Sequence, residues 1–393
     1  MSEPGHVIDS IALGGIVTVR DRLIEQQSRG KKVYRLESGD PSFSIPDHVR
    51  LAIQKALDDG HTHYTANAGV PPLREAICRK LRESNGIPVR SPQQVLVCNG
   101  AMNGLYTAFH ALAQPGDEFI MPDPTWTETA DNVTLAGGIP IRVRLDSADG
   151  YRYEAEAVAA AVTPRTRAIV INSPHNPTGL VITESDLHAI LEVAARHGLW
   201  VLSDEAYEHV LFDDNRHVSP ASLGYDRVIS VFSMSKSYAM SGLRLGYLCC
   251  NDDLLTERMA KMLRCTINGV NSATQYGAVA ALGGPQDATA AMAVEYQKRR
   301  DLLYGALANL SVLHPFKPQG AFYLWARIDE SWLGYRGGKA GWNMTEFLID
   351  QAGVGSAPGE VFGPSGAGHI RFAFSCSTEQ VAQGAEALHE LLS

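Results

Sequence analysis

The chain has 393 residues, of which 45% are hydrophobic, and carries a formal net charge of -9. This length and apolar share are more than one compact core usually holds, and they indicate two packed domains. The acidic balance, without runs of like charge, excludes nucleic acid and an anionic membrane surface as expected partners. The N-terminus lacks the features of a signal peptide, and no apolar stretch is long enough to span a bilayer. We therefore expect a cytoplasmic protein.

Cysteine and histidine spacing predicts neither a disulfide framework nor a metal site. The six cysteines show no C-x-x-C spacing and lie mostly in apolar segments, so we expect buried, reduced thiols. His61 and His63 could bind a metal, but no acidic residue or cysteine stands at ligand spacing. A plain loop without metal is the preferred interpretation.

Helical and short β-rich segments alternate from about residue 70 to 250, a pattern typical of βαβ units and a mostly parallel sheet. A helix is predicted from a capping box at Thr183 to about His197, with Gly198 as its stop signal. Strands are predicted at three places: 167–172, 199–203 and 228–232. Ligands gather at the carboxyl ends of strands in such sheets. Three polar residues follow strands there: Asn176, Asp204 and Lys236.

The segment Asn99–Gly104 follows the β-rich residues 94–98 and precedes an apolar helical stretch. The amides of Gly100, Ala101 and Met102 would therefore lie at a helix N-terminus, a position that favours anions. Alone, this signal is weak.

Two loop residues have both a structural and a functional interpretation. Trp126, in Asp-Pro-Thr-Trp, would by default be a partly buried core aromatic. Asn176, in Ser-Pro-His-Asn-Pro-Thr-Gly, would by default be a turn residue, because Asn-Pro and Thr-Gly are turn sequences. Neither residue identifies a function without further context.

Asp204 ends an apolar strand, where burial of an unpaired carboxylate is costly. It therefore requires a partner. One possibility is that it caps a following helix by accepting amide hydrogens. The other is a salt bridge to the protonated ring nitrogen of a cofactor.

Lys236 is the most informative residue of the chain. It follows the apolar segment 227–233, and an amine at the end of a buried strand can be desolvated into a nucleophile. Such amines form Schiff bases with carbonyls, including that of pyridoxal phosphate (PLP). Ser233, Ser235 and Arg244 lie with this lysine in the segment 233–247 and would serve as donors to the cofactor phosphate.

The sequence changes character from about Gly284. Four elements are predicted beyond it: a long charged helix at 295–309, strands at 320–325 and 369–374, and a closing helix at 378–392. Arg371 lies in the middle of the second strand, where a buried guanidinium requires a carboxylate or several acceptors.

These motifs, in this order, resemble those of class I/II PLP-dependent aminotransferases of fold type I, and the resemblance extends from about Gly15 to Leu392. It implies an α/β fold with a large PLP-binding domain at 46–283, built on a mostly parallel sheet. A smaller α+β C-terminal domain would span 284–393, and the N-terminal segment 1–45 would pack with it.

The resemblance implies roles for the residues around the cofactor. Lys236 would form the Schiff base, and Asp204 would pair with the ring nitrogen. Tyr207 and Asn176 would donate to the 3-oxygen, while Trp126 would lie flat against the ring. Asp204 and Tyr207 would thus join Lys236 in catalysis.

Further roles concern the phosphate, the substrate and a second subunit. Arg371 would bind the substrate α-carboxylate, with Asn176 and the backbone of Gly39 as helpers. Tyr64 would reach the cofactor phosphate of the neighbouring subunit, which implies a homodimer with shared active sites. The stretch 268–271 would also reach across to that subunit. The phosphate cup would consist of Gly100, Ala101, Met102, Ser233, Ser235 and Arg244.

The activity that this resemblance implies is transfer of an amino group from an α-amino acid to a 2-oxo acid, with Lys236 moving the α-proton. PLP-dependent lyases, cyclases, racemases and oxidases can keep the same residues, so such an enzyme is the alternative. A PLP-sensing domain of a transcription regulator is a further rival. It would need a basic DNA-binding module, for which the chain has no room before Gly15.

Two side chains bear on the choice of amino donor. In the aspartate-using branch, a lysine can occupy the position of Met102 and bind the distal carboxylate of the substrate. Glu128 adds a negative charge close to Trp126, although a surface glutamate is the simpler interpretation. We expect a neutral or cationic amino donor in preference to aspartate.

Overall fold

The computed structural model describes residues 6–393, which form helices packed around two sheets. The α-helices are α1 Gly15–Ser28, α2 Asp47–Asp58, α3 Pro71–Glu83, α4 Ala101–Leu112, α5 Thr127–Leu135, α6 Ala155–Ala160, α7 Glu184–His197, α8 Met234–Ser237, α9 Asp253–Thr266, α10 Ser272–Gly283, α11 Asp287–Leu307, α12 Ala340–Ala352 and α13 Thr378–Leu392. The strands are β1 Val95–Cys98, β2 Glu118–Asp123, β3 Ile139–Arg144, β4 Thr166–Asn172, β5 Trp200–Asp204, β6 Val228–Ser233, β7 Gly246–Cys250, β8 Leu313–Pro315, β9 Tyr323–Ile328, β10 Ala357–Pro358 and β11 His369–Ala373.

The larger sheet has seven strands in the order β1-β7-β6-β5-β4-β2-β3. Strands β2 to β6 run parallel, and β7 is antiparallel to both of its neighbours. Along β4, Ala168 and Val170 belong to one apolar cluster, whereas Ile169 and Ile171 belong to another. Successive strand side chains point to opposite faces, so helices cover both faces of the sheet. The α/β fold expected from the sequence is confirmed.

The parallel register brings three strand ends to one edge of this sheet. Asn172 pairs with Asp204 across β4 and β5, and β6 beside them ends at Ser233. Helix α7 returns the chain between β4 and β5. It begins where the Thr183 side chain accepts from the amide of Asp186 and ends at Gly198 in the left-handed conformation.

The smaller sheet, in the order β10-β11-β9-β8, is antiparallel and packs with α11, α12 and α13 around a separate core. Residues before the large sheet also contact this part. Tyr34 forms a parallel bridge with Val354, and the Ala373 amide donates to the carbonyl of Leu36 over 2.6 Å. Arg22 of α1 pairs with Asp350 of α12 at 2.8 Å. The division at residues 45 and 283 stays a prediction, which these contacts support.

Several element boundaries differ from the sequence predictions. Helix α11 begins at Asp287 and not at 295, because its Ala-rich first half has a high helix propensity. Strand β9 begins at Tyr323, since Ala321 has a φ of 56° and its amide donates to the Val210 carbonyl outside the sheet. Strand β7 was not predicted. No helix follows Asp204 directly, so the capping interpretation is wrong, and the carboxylate accepts from the Ala206 amide in a turn.

The cysteine prediction holds only in part. All six cysteines have free thiols, and Cys78, Cys98, Cys249 and Cys250 are buried. Cys265 on α9 is exposed and Cys376 is half-buried, because both lie on segments that face solvent on one side. Within residues 6–393, no helix is long and apolar enough to cross a membrane. The same residues contain no cluster of three or more His, Cys, Asp or Glu side chains suited to a metal.

Candidate active site

A cavity of about 340 Å³ lies at the edge where β4, β5 and β6 end. The N-termini of α1 and α4 and the strands β9 and β11 complete its wall. Most of the residues predicted from the sequence line it: Gly39, Ala101, Met102, Trp126, Asn176, Asp204, Tyr207, Ser233, Ser235, Lys236, Arg244 and Arg371.

Lys236 stands on the short helix α8, immediately after β6. Its Nζ atom donates to the Gly39 carbonyl over 2.6 Å. Burial lowers the pKa of Lys236 to about 8, while Asp40 and Asp204 oppose the shift and Arg371 and Arg244 add to it. A lysine with this pKa is partly neutral near physiological pH, as a nucleophile or proton acceptor must be.

Asp204 lies at the end of β5, the strand that pairs directly with β6. Burial raises the pKa of its carboxyl to about 6; the Ala206 amide opposes that shift. Neither Lys236 nor any arginine among the described residues forms an ion pair with it within 4.0 Å. The carboxylate is thus placed to receive a cation from a ligand.

Arg371 projects from β11 into the opposite wall and is fully buried. Its Nη1 atom donates to Oδ1 of Asn176 over 3.0 Å, and Nη2 donates to the Glu37 carbonyl over 2.9 Å. Its Nε atom has no partner within residues 6–393, and burial lowers the pKa of the guanidinium. A buried guanidinium with an unused donor beside a cavity is suited to bind a carboxylate.

Asn176 is fixed by its own loop. Its backbone N–H donates to Oδ1 of Asn172 over 2.8 Å. In the same loop, the buried His175 has Nδ1 at 2.7 Å from Oγ1 of Thr178, and Tyr153 contacts the ring edge-on. These contacts hold the Asn176 side chain against Arg371.

Two buried tyrosines meet beneath the cavity. The hydroxyls of Tyr207 and Tyr323 lie 2.9 Å apart, and the Arg371 guanidinium carbon lies 4.2 Å from the centre of the Tyr323 ring. Burial raises the pKa of both phenols, so both hold their protons at neutral pH.

A cup lined by hydrogen-bond donors lies at the N-terminus of α4. Gly100 has a φ of 81°, and a methyl group there would come within 2.5 Å of Nη2 of Arg244. A methyl group at Gly246 would come within 2.6 Å of the Ala101 amide nitrogen. Glycine at both positions therefore lets β7 and the helix start approach closely. Ser233, Ser235 and Arg244 surround the same space, which places hydroxyls, helix amides and a guanidinium together.

Glu128, on the first turn of α5, is half-buried and not the surface residue that the simpler interpretation assumed. Its side chain accepts from the Thr127 hydroxyl. Burial raises the pKa of the Glu128 carboxyl, and the charge of Arg371 opposes the shift. The carboxylate is thus near enough to the Arg371 wall for the two charges to interact.

The aminotransferase class I and II family model matches residues 31–388. This chain belongs to the class I and II aminotransferases. It is 32% identical to the aspartate aminotransferase of Geobacillus stearothermophilus, with 98% of each chain covered. The solved aspartate aminotransferase of Rhizobium meliloti superposes with a TM-score of 0.92 at 34% identity, covering 99% of this chain and 98% of that one. The aromatic aminotransferase of Pyrococcus horikoshii OT3 gives 0.87 at 36% identity, covering 94% and 98%.

The aminotransferase is a PLP-dependent enzyme, and the described residues fit that cofactor. The cup at α4 supplies the donors that a phosphate requires, and Asp204 is a buried acceptor for a ring N–H. Lys236 is an amine of lowered pKa in the same cavity.

Tyr64, which was predicted to reach a neighbouring subunit, lies outside this cavity. Its side chain is 90% exposed. Together with residues 268–273, it lines a groove of about 590 Å³. His61 and His63 lie on the same loop, and His61 stacks on Tyr276 at 4.1 Å.

Sequence reasoning missed several lining residues of the aminotransferase. Tyr323 follows Gly-Ala-Phe in what was predicted to be a plain strand, so its hydroxyl had no apparent partner. Ile16, Val17 and Arg20 come from α1, whose contact with the cavity depends on packing across the chain. Asn172 ends a predicted strand beside Asp204, and that position was the signal that could have found it.

Proposed function

We propose that Lys236 is the amine that binds the PLP aldehyde and later moves the proton at the substrate α-carbon. When bound, PLP supplies an electron-withdrawing ring that stabilises negative charge at that carbon. The observation that carries the proposal is the meeting of three groups in one cavity. These are an amine with a pKa of about 8, a buried carboxylate and an anion cup.

The other residues hold and orient the reactants in this proposal. Asp204 accepts from the ring nitrogen and keeps it protonated, and Tyr207 donates to the 3-oxygen with Asn176 beside it. The phosphate lies in the cup formed by Gly100, Ala101, Met102, Ser233, Ser235 and Arg244. Trp126, half-buried on the cavity wall, packs against the ring face. Arg371, which has an unused donor and lines the same cavity as Gly39, binds the substrate α-carboxylate.

The amino donor that the cavity favours is a neutral α-amino acid with an apolar or aromatic side chain. Met102, Leu105, Ile16 and Val17 form an apolar wall, which favours contact with an apolar side chain. Glu128 adds a carboxylate near Arg371, which disfavours a second negative charge on the substrate. The relative from Pyrococcus horikoshii is named for aromatic substrates.

A dicarboxylic donor such as aspartate is the second candidate, because Arg20 also lines the cavity. Its guanidinium bonds to Asp21 on the same helix at 3.1 Å, and its half-exposed side chain could turn toward a distal carboxylate. Two of the relatives described above are named for aspartate.

A panel of donors decides between these candidates. We expect kcat/KM for phenylalanine or leucine to exceed that for aspartate, and Met102→Lys to raise the aspartate value by about tenfold. Arg20→Ala should leave the preferred donors within about twofold. A wild-type preference for aspartate that Arg20→Ala removes would establish the second candidate. Arg371→Ala should weaken all α-amino acids alike, by about 2–5 kcal/mol in transition-state binding.

Two further features belong to the proposal. We infer a homodimer in which Tyr64 reaches the cofactor phosphate of the neighbouring subunit and the stretch 268–271 also reaches across; the exposed groove that they form supports this inference. A cytoplasmic location is supported by the six free thiols, since cysteines remain unpaired in a reducing compartment.

A further inference from the structure

The hydroxyl of Tyr323 occupies a defined position between two parts of the site. It lies 2.9 Å from the Tyr207 hydroxyl, and both side chains are buried. A methyl group at Gly39 would overlap this hydroxyl, so the absence of a side chain there leaves room for it. The ring of Tyr323 lies under the Arg371 guanidinium, 4.2 Å from its carbon. One side chain thus contacts both the residue proposed to bind the 3-oxygen and the residue proposed to bind the α-carboxylate.

The direction of the hydrogen bond follows from the proposed function, on which this inference rests. Tyr207 has one proton, and it donates that proton to the cofactor 3-oxygen. Its oxygen can then only accept from Tyr323. A phenol that accepts one hydrogen bond becomes a stronger donor in the next, because neighbouring bonds in a chain polarise one another.

We propose that Tyr323 is a positioning residue that strengthens the Tyr207 hydrogen bond to the cofactor and thereby sets the pH at which the bound cofactor changes its protonation state. A stronger donor at the 3-oxygen favours its anionic form. The nitrogen that joins Lys236 to the cofactor then loses its proton at a lower pH. The ring of Tyr323, as a separate effect, supports Arg371 through a cation–π contact.

Other charged groups face this pair, and they must be kept constant in a test. Arg371 on β11 and Asp204 on β5 act on both phenols, and Glu128 on α5 acts on Tyr323. Lys236 on α8 faces the same space, with its Nζ atom 5.6 Å from the centre of the Phe322 ring. A variant that removes only the Tyr323 hydroxyl leaves all four in place.

The test compares Tyr323→Phe, Tyr323→Leu and Tyr207→Phe in the holoenzyme by following the visible absorption band of bound PLP against pH. We expect Tyr207→Phe to raise the pH midpoint of this absorption change most. Tyr323→Phe should raise the same midpoint by about half a pH unit to one pH unit. Tyr323→Phe keeps the ring, so KM for the amino donor should stay within about twofold while kcat falls. Tyr323→Leu removes the ring as well and should raise KM by about three- to tenfold.

Tyr296→Phe is the matched control. Its ring contacts Phe322 at 5.2 Å, and its buried hydroxyl has no hydrogen-bond partner within residues 6–393. We expect its midpoint to equal that of the wild type. If the pH midpoint rises in Tyr207→Phe but not in Tyr323→Phe, the inference is overturned and the proposed function stays intact. No shift of this midpoint in Tyr207→Phe would refute the proposed role of Tyr207 and with it the inference. No visible band in the wild type would instead refute the proposed function.

Discussion

Two ionisable side chains in the cavity have pKa values that burial shifts toward neutrality. Burial raises the pKa of Asp204 to about 6 and lowers that of Lys236 to about 8. Each shift records the cost of keeping a charge in the cavity before a ligand compensates for it. The site should therefore lower the stability of the cofactor-free protein, as functional sites often do.

Lys236→Met should stabilise the cofactor-free protein at pH 7. The depressed pKa of Lys236 means that stability rises with pH between about 8 and about 10.5, the value in an unfolded chain. Below that window the buried charge costs on the order of 3 kcal/mol, which methionine removes. Thermal midpoints at pH 7 and pH 10.5 measure the effect, which should shrink at the higher pH. The exposed Lys31→Met is the control; a destabilised Lys236→Met protein at pH 7 would refute this explanation.

At the scale of elements, a buried ion pair joins the turn 204–208 to helix α3 on the side away from the cavity. Lys80 of α3 donates to both oxygens of Glu208 at 2.5 and 2.6 Å. Burial would raise the pKa of Glu208, but Lys80, His209, His217 and Asn85 together lower it to about 2. In this turn, Asp204, Ala206 and Tyr207 line the cavity, whereas Glu205 and Glu208 belong to the polar network. The ion pair to α3 therefore helps to fix the position of Tyr207.

Lys80→Met should destabilise the protein by about 3–5 kcal/mol, because it leaves the Glu208 carboxylate buried without its cation. The double variant Lys80→Met/Glu208→Leu should recover part of this loss, since no unpaired charge remains. Denaturant unfolding of the holoenzyme measures both. Lys261→Met breaks an exposed Lys–Glu pair of similar length, 2.6 Å, and should cost at most about 0.5 kcal/mol. Equal losses for the buried and the exposed pair would contradict this account.

The sequence predicted the elements that have a strong local signal. Apolar runs located β4, β5 and β6, and the capping signals at Thr183 and Gly198 located α7. Strand β7 was missed because its first residues, Gly246 and Tyr247, were interpreted as the end of the lysine motif. The strand predicted at 320–325 begins only at Tyr323, because Gly320 and Ala321 bond instead to residues 210–211. Only tertiary structure creates that contact.

The candidate site shows the same limit. Lys236, Asp204 and Asn176 could be predicted because each follows a strand, and Arg371 because a charge stood in an apolar strand. The pairing of Tyr207 with Tyr323 joins residues 116 positions apart. No local pattern encodes such a contact. The burial of Glu128 likewise depends on how α5 packs.

For the whole molecule, the proposed dimer makes a prediction about two inactive variants. Lys236→Ala should be inactive, and Tyr64→Ala should bind PLP weakly because the neighbouring site loses a phosphate contact. Mixing the two variants under subunit exchange forms hybrid dimers. In each hybrid, one active site carries both substitutions and the other carries neither. We expect activity to return to roughly a quarter of the wild type. Recovery should be absent if Tyr64 acts within its own subunit, and a monomer by light scattering would also contradict the prediction.

The central claim is that Lys236 is the residue that holds PLP, and reduction with borohydride tests it most directly. Treatment of the holoenzyme should fix the cofactor to one lysine, and peptide mapping by mass spectrometry should find the pyridoxyl group on Lys236. Lys236→Ala should lose the visible band and take up no label, although Arg244, Asp204 and Trp126 can still retain some PLP. A pyridoxyl group on any other lysine of the wild-type protein would contradict the assignment of this site.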